Sequence, residues 1–213
     1  MDDFAPTERT RVKRLFARGR YDRETIYGIL DDGMLCHIGY AIDGQPYVTP
    51  TLYWREGDRV YWHGSAASRM LRHLATGAPL CLTVSHMDAL ILARSAFHHS
   101  ANYRSVMIFG SATRVEDAAD KTARLETFVN GLYPGRWNEL RPMTDQELKA
   151  TTVLALDLDE VSAKVRTGGP VDDEEDYAWP TWAGTVPLET RRGAPEPCPR
   201  LPEGIPTPPN LGD

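Results

Sequence analysis

Between residues 34 and 63 three extended segments follow one another with only turn residues between them. Chain of this kind has few options besides an antiparallel β-meander. Met34 to Ile42 is an apolar, partly β-branched run. Asp43-Gly44 follows, the strongest short hairpin signal. Gln45 to Trp54 then alternates, with Tyr47, Thr49, Thr51 and Tyr53 on one face and Val48, Pro50, Leu52 and Trp54 on the other. Pro50 has no N–H to give a ladder, so this strand is an edge or breaks locally. Glu56-Gly57-Asp58 makes a second turn, and Arg59 to His63 a third strand.

The remaining elements fit round this framework. Asp22 reads as a helix N-cap and Gly33 as the residue past the end, giving a short helix over 23–32 with Ile26, Ile29 and Leu30 inward. Ser65 is expected to cap a helix over 66–76 that buries Met70, Leu71 and Leu74. Strands are predicted at 79–86, 90–97, 103–115 and 152–158. A helix is predicted at 118–131, and Thr144 to Glu147 has a capping-box pattern. Strands follow strands with few helices between, so the fold class is mainly β, antiparallel, with peripheral helices.

Composition divides the chain into three. Residues 1–21 form an arm rich in arginine, either solvated and mobile or reaching a phosphate or a partner subunit. Residues 22–168 are the folded domain. Residues 169–213 hold ten of the sixteen prolines beside the acidic run 172–176. They read as a tail that packs to about residue 190 and has little order after 193. Net charge is −6, which gives no whole-protein attraction to nucleic acid or anionic membrane. Three separated cysteines do not make a disulfide framework and suit a reducing compartment. Residues 1–20 lack a secretory apolar stretch, and no segment has the ~20 apolar residues of a span. The expected location is the cytoplasm.

Three stretches carry chemistry. His63-Gly64-Ser65-Ala66-Ala67-Ser68-Arg69 leads from a strand end into a helix start, where small residues, two hydroxyls and a guanidinium suit a phosphate. Its plainer reading is an N-cap beside a surface arginine. Thr49-Pro50-Thr51 gives an edge with free backbone groups, on which a flat heteroaromatic ring could hydrogen-bond; its plainer reading is a protected edge strand. His98 to Ser105 gathers polar residues at a strand entrance. A metal on His98 and His99 is disfavoured, because neighbours on an extended chain point apart and no third ligand completes a set. No metal site is expected, and no nucleophilic triad is visible.

These stretches, in this order, resemble the pyridoxamine 5′-phosphate oxidase-related family of flavin-binding proteins, and within it the nitroimidazole-reductase-like branch. The resemblance rests on residues 44–53, 61–70 and 102–106 with Phe109-Gly110. It implies a split β-barrel that holds FMN in a cleft between the two subunits of a homodimer. Thr49, Pro50 and Thr51 would run beside the ring, His63 and Gly64 near the ring and ribityl chain, and Ser65, Ser68 and Arg69 at the phosphate. Tyr103, Arg104 and Ser105 would close the site, from either chain, and Trp182 would cover the flavin. The proline-rich C-terminus departs from the vitamin-processing enzymes, so their reaction is not expected. The implied function is a flavin-dependent oxidoreductase acting on a small molecule. Arg104 would stabilise negative charge, and His98 or His99 would relay protons. The alternative is a carrier or sensor of flavin, deazaflavin or heme without turnover.

Overall fold

A computed structural model describes residues 3–208 and Leu211; the first two residues of the arm and 209, 210, 212 and 213 of the tail lie outside the described residues. The molecule is a mainly antiparallel β split barrel with four helices. In chain order the elements are β1 (Gly19–Arg20), α1 (Arg23–Asp31), β2 (Leu35–Ile42), β3 (Gln45–Glu56), β4 (Arg59–Ser65), α2 (Arg69–Leu74), β5 (Pro79–Leu92), β6 (Ser100–Ser111), β7 (Thr113–Arg114), α3 (Ala118–Leu132), α4 (Asp145–Ala150), β8 (Thr151–Asp157), β9 (Glu160–Arg166) and β10 (Gly184–Pro187). The strands form one path, β1-β9-β6-β5-β2-β3-β4-β8-β7, with β10 added beside β5.

The β2–β3 hairpin turns as its sequence demands. Asp43 (φ 50°) and Gly44 (φ 78°) are both left-handed, the geometry of a tight turn that matches strand twist. The barrel interior is filled by Ile38, Tyr53, Val60, Trp62, Leu82, Val84, Val106, Ile108, Leu154 and Leu156, and the buried faces of α1 and α2 pack into the same core. At Gly110 a Cβ would lie 2.8 Å from Leu156 Cδ1, so β6 and β8 draw together where a larger residue would push the Leu156 side chain aside. A second cluster outside the barrel packs Phe128 and Leu125 of α3 on Trp54, Tyr61 and Val153.

Several elements differ from the sequence expectation. The strands expected at 79–86 and 90–97 are one continuous β5, kinked by a register shift between Met87 and Ala89. Strand β9 was not anticipated. Its alternation of Val161, Ala163 and Val165 was legible, but its place between β1 and β6 depends on distant partners. The arm is not a loose tether. Phe4 is buried, with Arg23 stacked 4.2 Å from its ring, and Thr10 is 3% exposed. In the tail, β10 pairs only with β5, at residues 89–92, beyond the reach of β2. Residues 195–208 and Leu211 fold over Tyr133, Arg136 and Glu139 round a cavity of about 740 Å³, although composition suggested little order there.

Candidate functional site

The barrel is split beside β3. From Pro46 to Leu52 this strand pairs with β2 on one side, whereas β4 joins it only from Tyr53↔Trp62 to Glu56↔Arg59. Beyond Trp62, β4 turns away, and His63, Gly64 and Ser65 pair with β8 alone. The stretch 47–52 therefore keeps one open edge, and that edge faces the corner leading into α2. Thr49 and Thr51 share the inward face with their partners Ile38 and Cys36, while Pro50 shares the outer face with His37. Burial pushes the Cys36 thiol up to about 12, so it stays an inert neutral group.

An aromatic stack ties this edge to the corner. The Arg69 guanidinium lies 4.4 Å from the Tyr47 ring centre. Tyr47 stacks on Tyr40 at 5.5 Å, and the Tyr40 hydroxyl is 3.2 Å from that of Thr49. Among the described residues Arg69 has no carboxylate partner. The corner itself differs from expectation. The helix begins at Arg69, is six residues long and is capped by Ser68, whose Oγ accepts from Leu71 N–H at 3.5 Å, not by Ser65. The N–H groups of Ala66, Ala67 and Ser68 are already given to Ala150 O, Ser65 Oγ and Ser65 O. An anion here would meet the Arg69 guanidinium and the Ser65 and Ser68 hydroxyls, the turn N–H groups of residues 66–68 being already engaged.

The sequence profile of pyridoxamine 5′-phosphate oxidase matches residues 22–165. The chain belongs to the pyridoxamine 5′-phosphate oxidase family. Among solved structures it resembles the flavocytochrome Anf3 from Azotobacter vinelandii, at 50% identity and a TM-score of 0.93, over 98% of this chain and 97% of that one. It also resembles the FAD and heme binding protein from Mycobacterium smegmatis, at 39% identity and a TM-score of 0.87, over 91% and 95% of the two chains. A putative 5-nitroimidazole antibiotic resistance protein from Bacteroides thetaiotaomicron shares the fold at 20% identity and a TM-score of 0.59, over 80% and 90%. No curated protein matches.

Against this family frame the expected site residues fall into two groups. Thr49, Thr51, Gly64, Ser65, Ser68 and Arg69 surround the split. Tyr103, Arg104 and Ser105 do not. They lie on β6, three strands from β3 through β5 and β2, which is about 14 Å at the usual strand spacing. The Arg104 guanidinium is clamped by Asp88 at 3.0–3.2 Å and by Asp32 at 2.6 Å, and these bonds hold it charged. It locks the end of α1 to β5 and is not a free receptor for an anion. His98 meets Asp173 at 3.3 Å, and His99 Nδ1 donates to Ser95 O at 2.8 Å, so both anchor the turn before β6. His63 turns outward and packs 4.7 Å from Phe128, where burial lowers its pKa. Trp182 is 66% exposed and folds over Gly184 at the start of β10.

A flavin fits the split on two observations: the open edge of β3, and the Arg69 guanidinium, which has no carboxylate partner among the described residues. Sequence reasoning missed Tyr40 and Tyr47 as the link between the two motifs. Their alternation in β2 and β3 was visible, but the stacking follows from register alone.

Proposed function

We propose that this chain is a flavocytochrome: it holds FAD in the split beside β3 and a heme on the outer sheet face, and works as a homodimer in electron transfer from a reduced donor. The extent of the likeness carries this reading. The family profile ends at 165, yet the Azotobacter flavocytochrome is matched over 98% of the chain, arm and tail included. The family resemblance implies FMN. FAD is favoured because the Mycobacterium relative binds FAD and heme, and because Ser65, Ala67 and Arg69 are exposed, leaving space beyond the first phosphate for a second and an adenosine. The chemistry supplied by the bound groups is hydride acceptance at the flavin and one-electron exchange at the heme.

The chain's own residues have distinct tasks in this reading. Arg69, Ser65 and Ser68 neutralise and hold phosphate, and the free edge at 47–52 orients the ring through backbone and threonine donors and acceptors. For the heme iron the candidate is His37. His86, His98 and His99 are hydrogen-bonded, His63 is wedged against Phe128 and Trp54, and His73 leans on Tyr40 with a buried Nε2. Among the described residues, His37 alone presents an imidazole without a partner to an open surface, next to the exposed Leu35, Val48 and Leu52. It sits opposite Pro50 across the β2–β3 ladder, so the two cofactors would be neighbours. The same apolar face supports a homodimer, in which Tyr103 and Ser105 of one copy reach the split of the other. Three unpaired cysteines suit a reducing cytoplasm.

The test is the visible spectrum of the protein reconstituted with flavin and hemin, with the mass of the flavin released on denaturation. Flavin bands, a Soret band and a released dinucleotide are expected. His37→Ala should lose the Soret band and keep the flavin. A protein that takes up neither group would end the reading. One that holds both, but is not reduced by NADH or NADPH, would be a non-catalytic carrier.

A further inference from the structure

The N-terminal arm makes a pocket away from the chain's own split. Residues 9–14 cross the outer sheet face and, with Thr83, Ser105, Met107, Ser162, Ala163 and Lys164, enclose about 360 Å³. The lining carries five cations, Arg9, Arg11, Lys13, Arg14 and Lys164, and no carboxylate. Arg9 is spoken for: it pairs with Glu160 and lies 5.8 Å from the Phe109 ring. The other four make no ion pair among the described residues. Gathering four uncompensated cations works against the fold by mutual repulsion. It is all the more unexpected on a chain of net charge −6, which has carboxylates to spare.

The backbone that carries these cations is held in place. Val12 N–H donates to the Tyr21 hydroxyl at 2.9 Å, and Arg11 N–H to Thr7 O at 3.0 Å. Gly19 pairs with Lys164, fixing the arm to β9 directly after the pocket. Leu15 bends the chain with a left-handed φ of 56° just past Arg14. On the floor, Thr83, Met107 and Ser162 are in cross-strand register; the Ser105 hydroxyl donates to Lys164 O at 3.4 Å and that of Thr83 lies 3.9 Å from Cys81 Sγ, so Ser162 brings the hydroxyl without a partner among the described residues. Val12 and Met107 supply an apolar patch beside them.

We infer that this pocket binds the diphosphate group of a nucleotide. The cations and hydroxyls suit several phosphate oxygens at once. The volume exceeds what a lone inorganic ion needs, and the apolar patch suits the adjoining ribose or base. Two sources share this chemistry. One is the diphosphate of FAD held mainly by a second copy of the chain, and that source rests on the flavin reading. The other is a separate nicotinamide dinucleotide that delivers hydride. The pocket itself depends on neither.

The experiment measures ADP binding by titration calorimetry to the full chain, flavin-loaded and flavin-stripped, with inorganic pyrophosphate as competitor. Micromolar ADP binding, displaced by pyrophosphate, is expected. It should weaken by about tenfold or more in Lys13→Gln/Lys164→Gln and recover in Lys13→Arg/Lys164→Arg. Arg14→Gln, at an exposed position, gives an independent variant, and a thermal melt checks folding in each. Binding to the loaded protein identifies a separate nucleotide. Binding only to the stripped protein, with the Gln variant keeping FMN better than FAD, identifies the flavin's own diphosphate. No ADP or pyrophosphate binding in either form, or equal binding in wild type and variants, overturns the inference. A colourless protein that still binds ADP would sink the flavin reading and leave the pocket standing.

Discussion

The guanidinium of Arg69 lies over Tyr47 and faces no carboxylate among the described residues, whereas that of Arg104 is held between Asp88 and Asp32. The two arginines look alike in the sequence, each next to a serine in a polar stretch. What separates them is the charge brought near by other elements, which no local pattern reveals. The contrast gives a prediction. Arg69→Ala should weaken flavin retention by about 1.5–3 kcal/mol, the scale for a hydrogen bond to a charged group, or roughly 10- to 150-fold in Kd. Equilibrium dialysis followed by absorbance reads this directly. Occupancy equal to that of the wild type would remove Arg69 from the site.

Elements were legible where their signals are local. Helix α1 starts where Asp22 accepts from Thr25 N–H at 2.8 Å, and α4 where Thr144 and Glu147 close a capping box. The Thr25 hydrogen bond holds the Asp22 carboxyl below its usual 3.8. A depressed native pKa means that the cap's contribution is present above the unfolded value and fades as pH falls through the native one. Asp22→Asn should therefore remove this part of the acid destabilisation while keeping the cap. Asp22→Ala should cost about 1 kcal/mol at neutral pH. Urea melts at pH 7 and pH 3 separate the two, and an unchanged acid slope in Asp22→Asn would discard the account. The two-residue strand β1, made only by pairing, was not legible, and β7 was read as the end of the strand before it. Strands β1 and β7 have two residues each and exist only because β9 and β8 lie alongside. The misplaced start of α2 has a similar cause, since Ala66 N–H is drawn to Ala150 O, far along the chain.

For the molecule as a whole, the outer sheet face is where apolar surface stays exposed. Val48 is 69% exposed and Leu35 50%, on a face that also carries His37 and Met107. Apolar surface gathered on one sheet face marks an interaction site. If a second copy covers it, Val48→Asp should shift the protein to the monomer mass in light scattering, without loss of helix or strand signal. A wild type that is monomeric at tens of micromolar would sink this.

The amino-acid order alone determined the hairpin at Asp43-Gly44, the caps of α1 and α4, the run of antiparallel strands and the presence of two motifs suited to phosphate and ring. Each of these depends on residues within a turn or two of one another. Tertiary structure decided where the barrel splits, which arginine stays free, and that a basic arm and a lysine on β9 share one pocket. Those outcomes depend on register between strands far apart in sequence, and on burial and charge that only the assembled sheet supplies.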